Sequence, residues 1–328
     1  GDLMTWQERA IELDGTPDYV HIQLKNEGYT VTREEVRHFF KTQRIDFKDK
    51  RKYTDEDIDA YIEAVKELQR KQEKLNTKQV TATIRLNETK PIAIAFWGDW
   101  HEGALGIDYD ALDEDTELIA NADGLYWGGT GDYKDNYITG TPPGAQFEQI
   151  MQPGMQDMAV QRRMKKVSHN NLWLVRGCHD DWDKKQGDRD FISTLCDITG
   201  GVNLWHGGTV YIELGDQQYT IKVRHKFKFE SNLNVENSMR RMYDMQGEFD
   251  IAVSAHLHYP FKMTRPLGGK ERILAKSGSY KKWDEHGQKM AGYQALRNIP
   301  TVILWPDKKD MEIMYLPKAL IMLKALRK

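Results

Sequence analysis

Disulfide bonds, membrane spans and a strong net charge are all missing from this sequence. Its 328 residues include only two cysteines, which argues against a disulfide scaffold and for a reducing compartment. No apolar run approaches the roughly 20 residues that span a bilayer, and no signal-peptide pattern opens the chain. A net charge of −3 provides no global basic field for nucleic acid. We therefore expect a soluble, cytoplasmic protein with no membrane partner.

The chain is long enough for two domains, and residues 92–103, IAIAFWGDWHEG, are its most informative stretch. A short apolar run that stops at a glycine is typical of a buried parallel strand. Asp99 and His101 follow this run directly. Because ligands bind at the carboxyl ends of such strands, we expect the functional site there.

Four later stretches end in the same way. We predict further strands at 124–130, 172–175, 219–223 and 249–253. The first is followed by Asp132 and Asp135, and the second by Cys178, His179 and Asp180. The third is followed by His225, and the fourth by His256 and His258. Five strands that all end in Asp or His are hard to explain by chance. Aspartate and neutral histidine together suit Mn²⁺, Fe²⁺ or Zn²⁺, whereas an all-oxygen set would indicate Mg²⁺ or Ca²⁺. The pattern predicts a two-metal site.

The order of these blocks, D-x-H, G-D-x-x-D, G-x-H-D, H and H-x-H, resembles the calcineurin-like metallophosphoesterases over residues 91–316. The resemblance implies two metal positions with the following ligands: Asp99, His101 and His258 in the first, His225 and His256 in the second, and Asp132 bridging both. A bridging carboxylate reduces the repulsion between dications about 3.5–4 Å apart. Mn²⁺ is the expected ion, with Zn²⁺, Fe²⁺ and Mg²⁺ as alternatives.

The strand pattern also predicts the fold class. Strands alternate with helical or irregular connections to about residue 197 and are then closely spaced, at 202–205, 209–214, 219–223, 249–254, 272–276, 301–305 and 311–316. This mixture predicts an α/β domain with two packed sheets. The resemblance implies the finer description, a four-layer α/β/β/α sandwich.

Two positions depart from the family pattern. Ala255 replaces a glycine, and Cys178 stands where the family has an asparagine that ligates the second metal. A metal-bound thiol is normally deprotonated and favours zinc over manganese or magnesium. Cys178 is therefore a native variant tuned to another metal, an engineered substitution, or a cysteine that does not ligate.

Phosphate-ester hydrolysis is the chemistry that such a site performs, with a water activated by two metal ions attacking phosphorus. His179 is the candidate general acid, and Asp180 beside it is the candidate to orient its ring. The alternative for His179 is a hydrogen-bonded structural histidine. Asp135 is expected to orient a metal ligand rather than to bind metal itself.

Substrate class is indicated by two details. Asp135 is followed by Asn136 and Tyr137, so the Arg-Gly phosphate clamp of the serine/threonine protein phosphatases is missing. The glycine at the end of Asp99-x-His101-x-Gly103 resembles the SbcD-type DNA-repair nucleases. Basic residues interleaved with aromatics are predicted to contact a phosphate backbone: Lys226, Lys228, Arg240 and Arg241. Ordinary surface charge is the alternative for each of them.

Residues 1–53 predict a small helical domain. Thr16 and Pro17 begin a helix, and after the turn at Gly28 a Thr32–Glu35 capping box begins a second one. This outline is similar to a helix-turn-helix, and six Lys or Arg against two Asp follow at 41–52. DNA is the expected partner, with a helical docking or oligomerisation module as the alternative.

The remaining segments complete the predicted domain plan. Residues 54–90 form a connector helix and linker with an edge strand at 80–86, and residues 91–328 form the catalytic domain. The segment 139–166 is a loop-and-helix insertion that would shape substrate access or form a homodimer contact. A final apolar helix at 317–328 would cover a sheet face.

Taken together, the sequence predicts a metal-dependent phosphodiesterase, and more narrowly a DNA nuclease. A phosphomonoesterase or small-nucleotide phosphodiesterase is the second hypothesis. The third hypothesis, which Cys178 suggests, is a DNA-binding protein whose altered metal site no longer catalyses hydrolysis.

Overall fold

A computed structural model describes residues 4–13, 15–42, 53–76, 80–138, 145–231, 233–284 and 297–328. They fall into two compact units that divide between residues 77 and 78. Across these described ranges, no helix combines the length and the hydropathy that a membrane crossing requires.

The described part of the first unit contains four helices: α1 (Trp6–Glu12), α2 (Pro17–Asn26), α3 (Arg33–Thr42) and α4 (Asp55–Asn76). Thr16 caps α2, and the Thr32–Glu35 capping box begins α3, as predicted. Helices α1 to α3 share a small apolar core: Ala10, Val20, Leu24, Val36 and Phe40. Most of the predicted basic patch, residues 43–52, lies outside the described residues. The division at 53/54 and 90/91 stays a prediction.

The second unit is built on two six-stranded sheets. Its strands are β1 (Val80–Leu86), β2 (Ile92–Trp97), β3 (Leu125–Gly129), β4 (Asn171–Leu174), β5 (Val202–Asn203), β6 (Gly207–Leu214), β7 (Gln217–Arg224), β8 (Ile251–Ser254), β9 (Phe261–Leu267), β10 (Lys270–Lys276), β11 (Pro300–Leu304) and β12 (Met311–Tyr315). The first sheet has the order β12-β11-β2-β3-β4-β5 and the second β1-β6-β7-β8-β10-β9. Strands β2 to β5 are parallel, and so are β7, β8 and β10.

Helices cover the outer face of each sheet. Among its described residues, the helices are α5 (Tyr109–Asn121), α6 (Pro153–Lys166), α7 (Asp180–Gly187), α8 (Phe191–Thr199), α9 (Asn237–Gln246) and α10 (Leu316–Leu326), with short 3₁₀ turns at Ala145–Glu148 and Ser168–Asn170. Side chains of α5, α6, α8 and α10 pack on the first sheet, and side chains of α9 pack on the second. The facing sides of the two sheets form a dry core that contains Phe96, Trp173 and Tyr219. These layers confirm the predicted α/β/β/α sandwich.

Most predicted strands are present, including the edge strand at 80–86, which pairs with β6. Strand β9 was not predicted, because its sequence, FKMTRPL, alternates weakly and carries a proline. It lies at a sheet edge, where a proline is tolerated because one side of the strand forms no ladder hydrogen bonds. Helix α6 lies in the predicted insertion, whose residues 139–144 are outside the described ranges.

Candidate metal centre

The predicted ligands all lie on loops that directly follow five strands. The positions are Asp99 and His101 after β2, Asp132 after β3, Cys178 after β4, His225 after β7, and His256 and His258 after β8. Strands β2, β3 and β4 are parallel neighbours in one sheet, and β7 and β8 are parallel neighbours in the other. Their carboxyl ends meet, so residues up to 159 positions apart in the sequence share one site.

The first group consists of Asp99, His101 and His258, which each offer one ligand atom within 4.8 Å of the others. The Nε2 atoms of His101 and His258 are only 3.0 Å apart. Asp99 Oδ1 lies 3.8 Å from His258 Nε2 and is buried without a hydrogen-bond partner among the described residues. An orphaned carboxylate oxygen beside two converging imidazole nitrogens fits a cation site.

The second group consists of Cys178, His225 and His256, again with one ligand atom each within 4.8 Å. Cys178 Sγ lies 3.7 Å from His256 Nδ1. Asp132 lies between the groups, because its Oδ2 is 3.1 Å from His225 Nε2 and 3.9 Å from His101 Nε2. The residues present therefore fit two adjoining metal positions that share one carboxylate.

Backbone conformation at these residues is unusual. Asp99, His101, Asp132, His256 and His258 all have positive φ, between 48° and 73°. A non-glycine residue in this left-handed region costs of order 1–3 kcal/mol and persists only where its surroundings impose it. Five such residues at one place indicate that the fold maintains these side-chain directions against a local preference.

Aromatic packing against the core holds the loop that follows β2. Trp100, between Asp99 and His101, is fully buried, with its ring centroid 4.3 Å from that of Trp97 and 5.1 Å from that of Tyr133. Because Trp100 points into the core, its two neighbours are directed to the other side of the loop. This packing explains why a tryptophan occupies the middle of the D-x-H block.

Hydrogen bonds to the far side of each ring orient two of the imidazoles. His101 Nδ1 lies 3.2 Å from Asp135 Oδ1, to which buried Lys281 also donates at 3.1 Å. His225 Nδ1 donates to the carbonyl oxygen of Thr130 at 2.9 Å. Both arrangements leave Nε2 directed at the centre, as metal-binding histidines require. Asp135 thus contacts a ligand residue, in the position predicted for an orienting carboxylate.

Charge states in the centre are set by burial and by the neighbours. Burial raises the pKa of Asp99 to about 7, with Asp132 adding to the effect. Burial also lowers the pKa of His256 to about 3, which keeps that ring neutral and able to bind metal. Burial alone would raise the pKa of Asp132, but nearby His225 holds it well below its ordinary value. A cation in this centre would relieve the repulsion between Asp99 and Asp132.

His179 lies beside the first group. One of its ring nitrogens is within 4.8 Å of ligand atoms of His101 and Asp132, and its Nδ1 donates to the carbonyl oxygen of Asp135. The ring packs against Trp182 and Tyr137, with centroid distances of 4.2 and 5.1 Å, and these two rings also contact each other. Burial lowers the pKa of His179 to about 4.

Asp180 does not orient His179, contrary to the sequence prediction. Its carboxylate instead accepts from three backbone N–H groups: those of Asp132 at 2.8 Å, Tyr133 at 3.2 Å and Gly177 at 2.9 Å. The carbonyl of Asp135 takes the role predicted for Asp180. Asp180 therefore ties the second loop to the third and positions Asp132.

Gly177 is required by the close approach of these two loops. A Cβ atom at this position would lie 2.0 Å from Asp132 Oδ1 and 2.2 Å from Asp132 N. We expect Gly177→Ala to weaken metal binding about 10- to 100-fold and to destabilise the fold by about 1–3 kcal/mol. Calorimetric metal titration and denaturant unfolding would measure both effects.

Gly187, at the end of α7, provides the matched control because a Cβ atom there meets nothing within 4 Å. Gly187→Ala should leave metal affinity unchanged. Equal metal affinities for the two variants would contradict the role assigned to Gly177.

The four residues predicted to contact substrate lie in two different environments. Lys226 and Lys228 are exposed on the loop after His225. Arg240 Nη1 lies 3.6 Å from Glu236, and Arg241 Nη1 lies 3.4 Å from Asp244. The two arginines therefore have carboxylate neighbours on or beside α9.

Sequence reasoning missed four residues around the centre. Tyr137 and Trp182 flank His179, as described above. Glu230 Oε2 lies 4.0 Å from His256 Nε2, and Glu230 Oε1 accepts from fully buried Lys276 at 3.4 Å. Lys281 is buried and pairs with Asp135 and Asp284.

Comparison with known proteins gives similarities in structure alone. No family sequence model and no curated protein matches the chain. A predicted phosphoesterase of Streptococcus pneumoniae is 14% identical, with 70% of this chain and 100% of that chain covered and a TM-score of 0.34. Vps29 of Chaetomium thermophilum is 11% identical, with 69% and 97% covered and a TM-score of 0.40. The calcineurin-like phosphoesterase YfkN of Bacillus subtilis is 10% identical, with 74% and 100% covered and a TM-score of 0.33. TM-scores this low establish no shared function.

The two facing sheets, their outer helices and the Asp and His residues at the strand ends are features of this chain's own structure. They are the features that the sequence resemblance to the calcineurin-like metallophosphoesterases predicted. The closer likeness to SbcD-type nucleases stays a prediction.

Proposed function

We propose that this protein is a metal-dependent phosphoesterase. The observation that carries the proposal is the convergence of seven predicted ligands on two adjoining groups that share Asp132. Asp99, His101, His258 and Asp132 would hold one divalent ion, and Cys178, His225, His256 and Asp132 would hold the other. Two such metal ions, when bound, lower the pKa of a coordinated water and neutralise charge on a phosphate oxygen.

His179 is the residue that would move a proton. Its Nδ1 hydrogen is engaged by the Asp135 carbonyl, so Nε2 is the nitrogen available to a leaving oxygen. Burial keeps the ring neutral at pH 7, but the negative charge of a bound phosphate favours the protonated ring. Contacts with Tyr137 and Trp182 restrict the movement of the ring.

The finer proposal is a phosphodiesterase that acts on DNA, with Mn²⁺ as the expected ion. Asn136 and Tyr137 stand where a protein-phosphatase clamp would be, and exposed Lys226 and Lys228 are available to phosphates. The capped helices α2 and α3 favour DNA contact by the first unit. On α3, however, Arg33 and Arg37 both donate to Asp18 at 2.8 Å, which reduces the charge they offer.

A small-nucleotide phosphodiesterase is the second candidate. Tyr137 and Trp182, whose ring centroids are 5.0 Å apart beside His179, are suited to stack against one base. This arrangement does not require an extended polymer.

A substrate panel separates these possibilities. The purified protein with Mn²⁺ would be incubated with bis-p-nitrophenyl phosphate, p-nitrophenyl phosphate, single-stranded DNA and double-stranded DNA. We expect release from the diester and cleavage of at least one DNA form. Release from the diester without DNA cleavage would favour a small-nucleotide substrate, whereas release from the monoester alone would favour a phosphomonoesterase. Failure on all four would reject hydrolysis.

Removing the exposed charges after His225 should affect DNA selectively. We expect the double variant Lys226→Ala, Lys228→Ala to weaken single-stranded DNA binding and to reduce the slope of log affinity against log salt by about 1–2. Hydrolysis of bis-p-nitrophenyl phosphate should remain within about twofold, since a small diester needs few phosphate contacts. Fluorescence anisotropy over a salt series would measure the slope.

Lys318→Ala, Lys324→Ala is the matched control, because both lysines are exposed on α10. It should leave the slope unchanged. A slope that the control changes as much as the test variant would show that general charge, not the loop, determines binding.

A further inference from the structure

The two metal positions offer different donor atoms. Apart from shared Asp132, the first has one carboxylate and two imidazoles, and the second has one thiol and two imidazoles. Carboxylate oxygen suits harder ions such as Mn²⁺, whereas a thiolate is a soft ligand that favours Zn²⁺ and similar ions. The positions are therefore unequal in chemistry although they adjoin.

The geometry around the thiol supports ligation. Cys178 is half-buried, and the next residue donates its backbone N–H to Asp132 Oδ1 at 2.8 Å. That bond fixes the loop that carries Cys178 relative to the bridging carboxylate. Sγ then lies 3.7 Å from Nδ1 of His256, close enough for both atoms to bind one ion.

A second ligand points to the same position. His225 is buried, its Nδ1 donates to a carbonyl, and its Nε2 has no hydrogen-bond partner among the described residues. This Nε2 atom is 3.1 Å from Asp132 Oδ2, so a carboxylate is also at hand. The second position thus has an unsatisfied buried nitrogen in addition to the cysteine.

Glu230 lies beside the other ring nitrogen of His256. Its Oε2 lies 4.0 Å from His256 Nε2, on the opposite side of the ring from Cys178. A carboxylate beside Nε2 favours the tautomer with the proton on that atom, which leaves Nδ1 with its lone pair toward the thiol. Lys276 in turn contacts Glu230 and limits its movement.

We propose that Cys178 binds as a thiolate and makes the second position selective for a zinc-type ion, so that the centre holds two different metals, with a harder ion such as Mn²⁺ in the first position. The inference rests on the proposed function only in placing both ions in one centre. On binding, the thiol S–H bond breaks, a sulfur–metal bond forms and one proton passes to the buffer.

Cobalt provides a direct test, because Co²⁺ substitutes for Zn²⁺ and a thiolate ligand gives it a near-ultraviolet charge-transfer band. The metal-free protein would be titrated with Co²⁺ alone. We expect the band in the wild type and in Cys196→Ser, the control at the other cysteine, which lies on α8. Cys178→Ser and Cys178→Asn should lack it while circular dichroism stays unchanged.

A competition experiment measures selectivity. Protein incubated with equimolar Zn²⁺ and Mn²⁺ and then desalted should retain one ion of each per chain, by elemental analysis. Cys178→Asn should bind Zn²⁺ at least about 10- to 100-fold more weakly in competition with a chelator, with Mn²⁺ retention unchanged. If one Cys178 variant fails to fold, the other and the Cys196→Ser control still decide the result.

A cobalt band that persists in either folded Cys178 variant, or zinc affinity equal to that of the wild type, would overturn the inference. Failure of the proposed function is distinguishable from this outcome. A protein with the thiolate band that hydrolyses no phosphate ester would leave the mixed-metal centre intact and reject the enzyme. Hydrolysis without any thiolate band would do the reverse.

Discussion

Asp132→Asn should reduce kcat/KM for bis-p-nitrophenyl phosphate by at least about a thousandfold, or about 4 kcal/mol of transition-state stabilisation. Asp132 Oδ2 lies 3.1 Å from His225 Nε2 and 3.9 Å from His101 Nε2, and Asp132 Oδ1 also accepts the backbone N–H of His179 at 2.8 Å. Asparagine keeps its size but removes the negative charge that lets two dications lie close together. Elemental analysis should show the metal content falling from two ions per chain to one or fewer.

Asp250→Asn is the matched control. Asp250 is buried and precedes β8, at the end of that strand opposite His256, where it accepts from Arg272 at 3.1 Å and Lys309 at 2.6 Å. Loss of its charge should lower stability, because two cations lose a partner, while metal content stays at two. If Asp132→Asn retains both ions and loses less than about tenfold in rate, Asp132 does not bridge the metals.

His179→Asn should lower the rate by about 100- to 10,000-fold for an ester with a poor leaving group. The loss should be much smaller for a p-nitrophenyl ester, because that leaving group departs without a proton. The comparison requires p-nitrophenyl and phenyl esters of the same phosphoryl group, measured at one pH. Metal content should remain at two ions per chain, since His179 is not among the predicted ligands.

His169→Asn is the control for this substitution, because His169 is exposed on the 3₁₀ turn Ser168–Asn170. It should leave both rates unchanged. Equal losses for the two esters in His179→Asn would assign the residue to phosphate binding rather than to proton transfer.

The strands and their endings could be predicted because each signal is local. A buried strand needs a continuous apolar run, and the polar residue that follows it in the sequence also follows it in space. Because β2, β3 and β4 are parallel neighbours in one sheet, and β7 and β8 in the other, the carboxyl ends lie at one edge of each sheet. The positions of Asp99, Asp132 and His225 followed from that rule.

Contacts between loops were not predictable in the same way. That Asp180 accepts three backbone N–H groups depends on how closely two loops approach, and adjacency to His179 in the sequence suggested a different partner. Glu230 and Lys276 belong to no sequence motif. The pairing of β8 with β10 places Lys276 near His256, and the path of the loop after β7 places Glu230 there. Side-chain partners across loops depend on tertiary geometry, which a single sequence does not encode locally.

The left-handed backbone at Asp99, His101, Asp132, His256 and His258 also affects how this sequence can change over time. Glycine occupies that conformation without steric cost, so glycine at any of these positions would relax the loop as it removes the side chain. A duplicated protein that was no longer selected for activity would gain stability by losing these residues first. Retention of these residues would then distinguish active descendants from inactive ones, even where the rest of the α/β/β/α sandwich is equally intact.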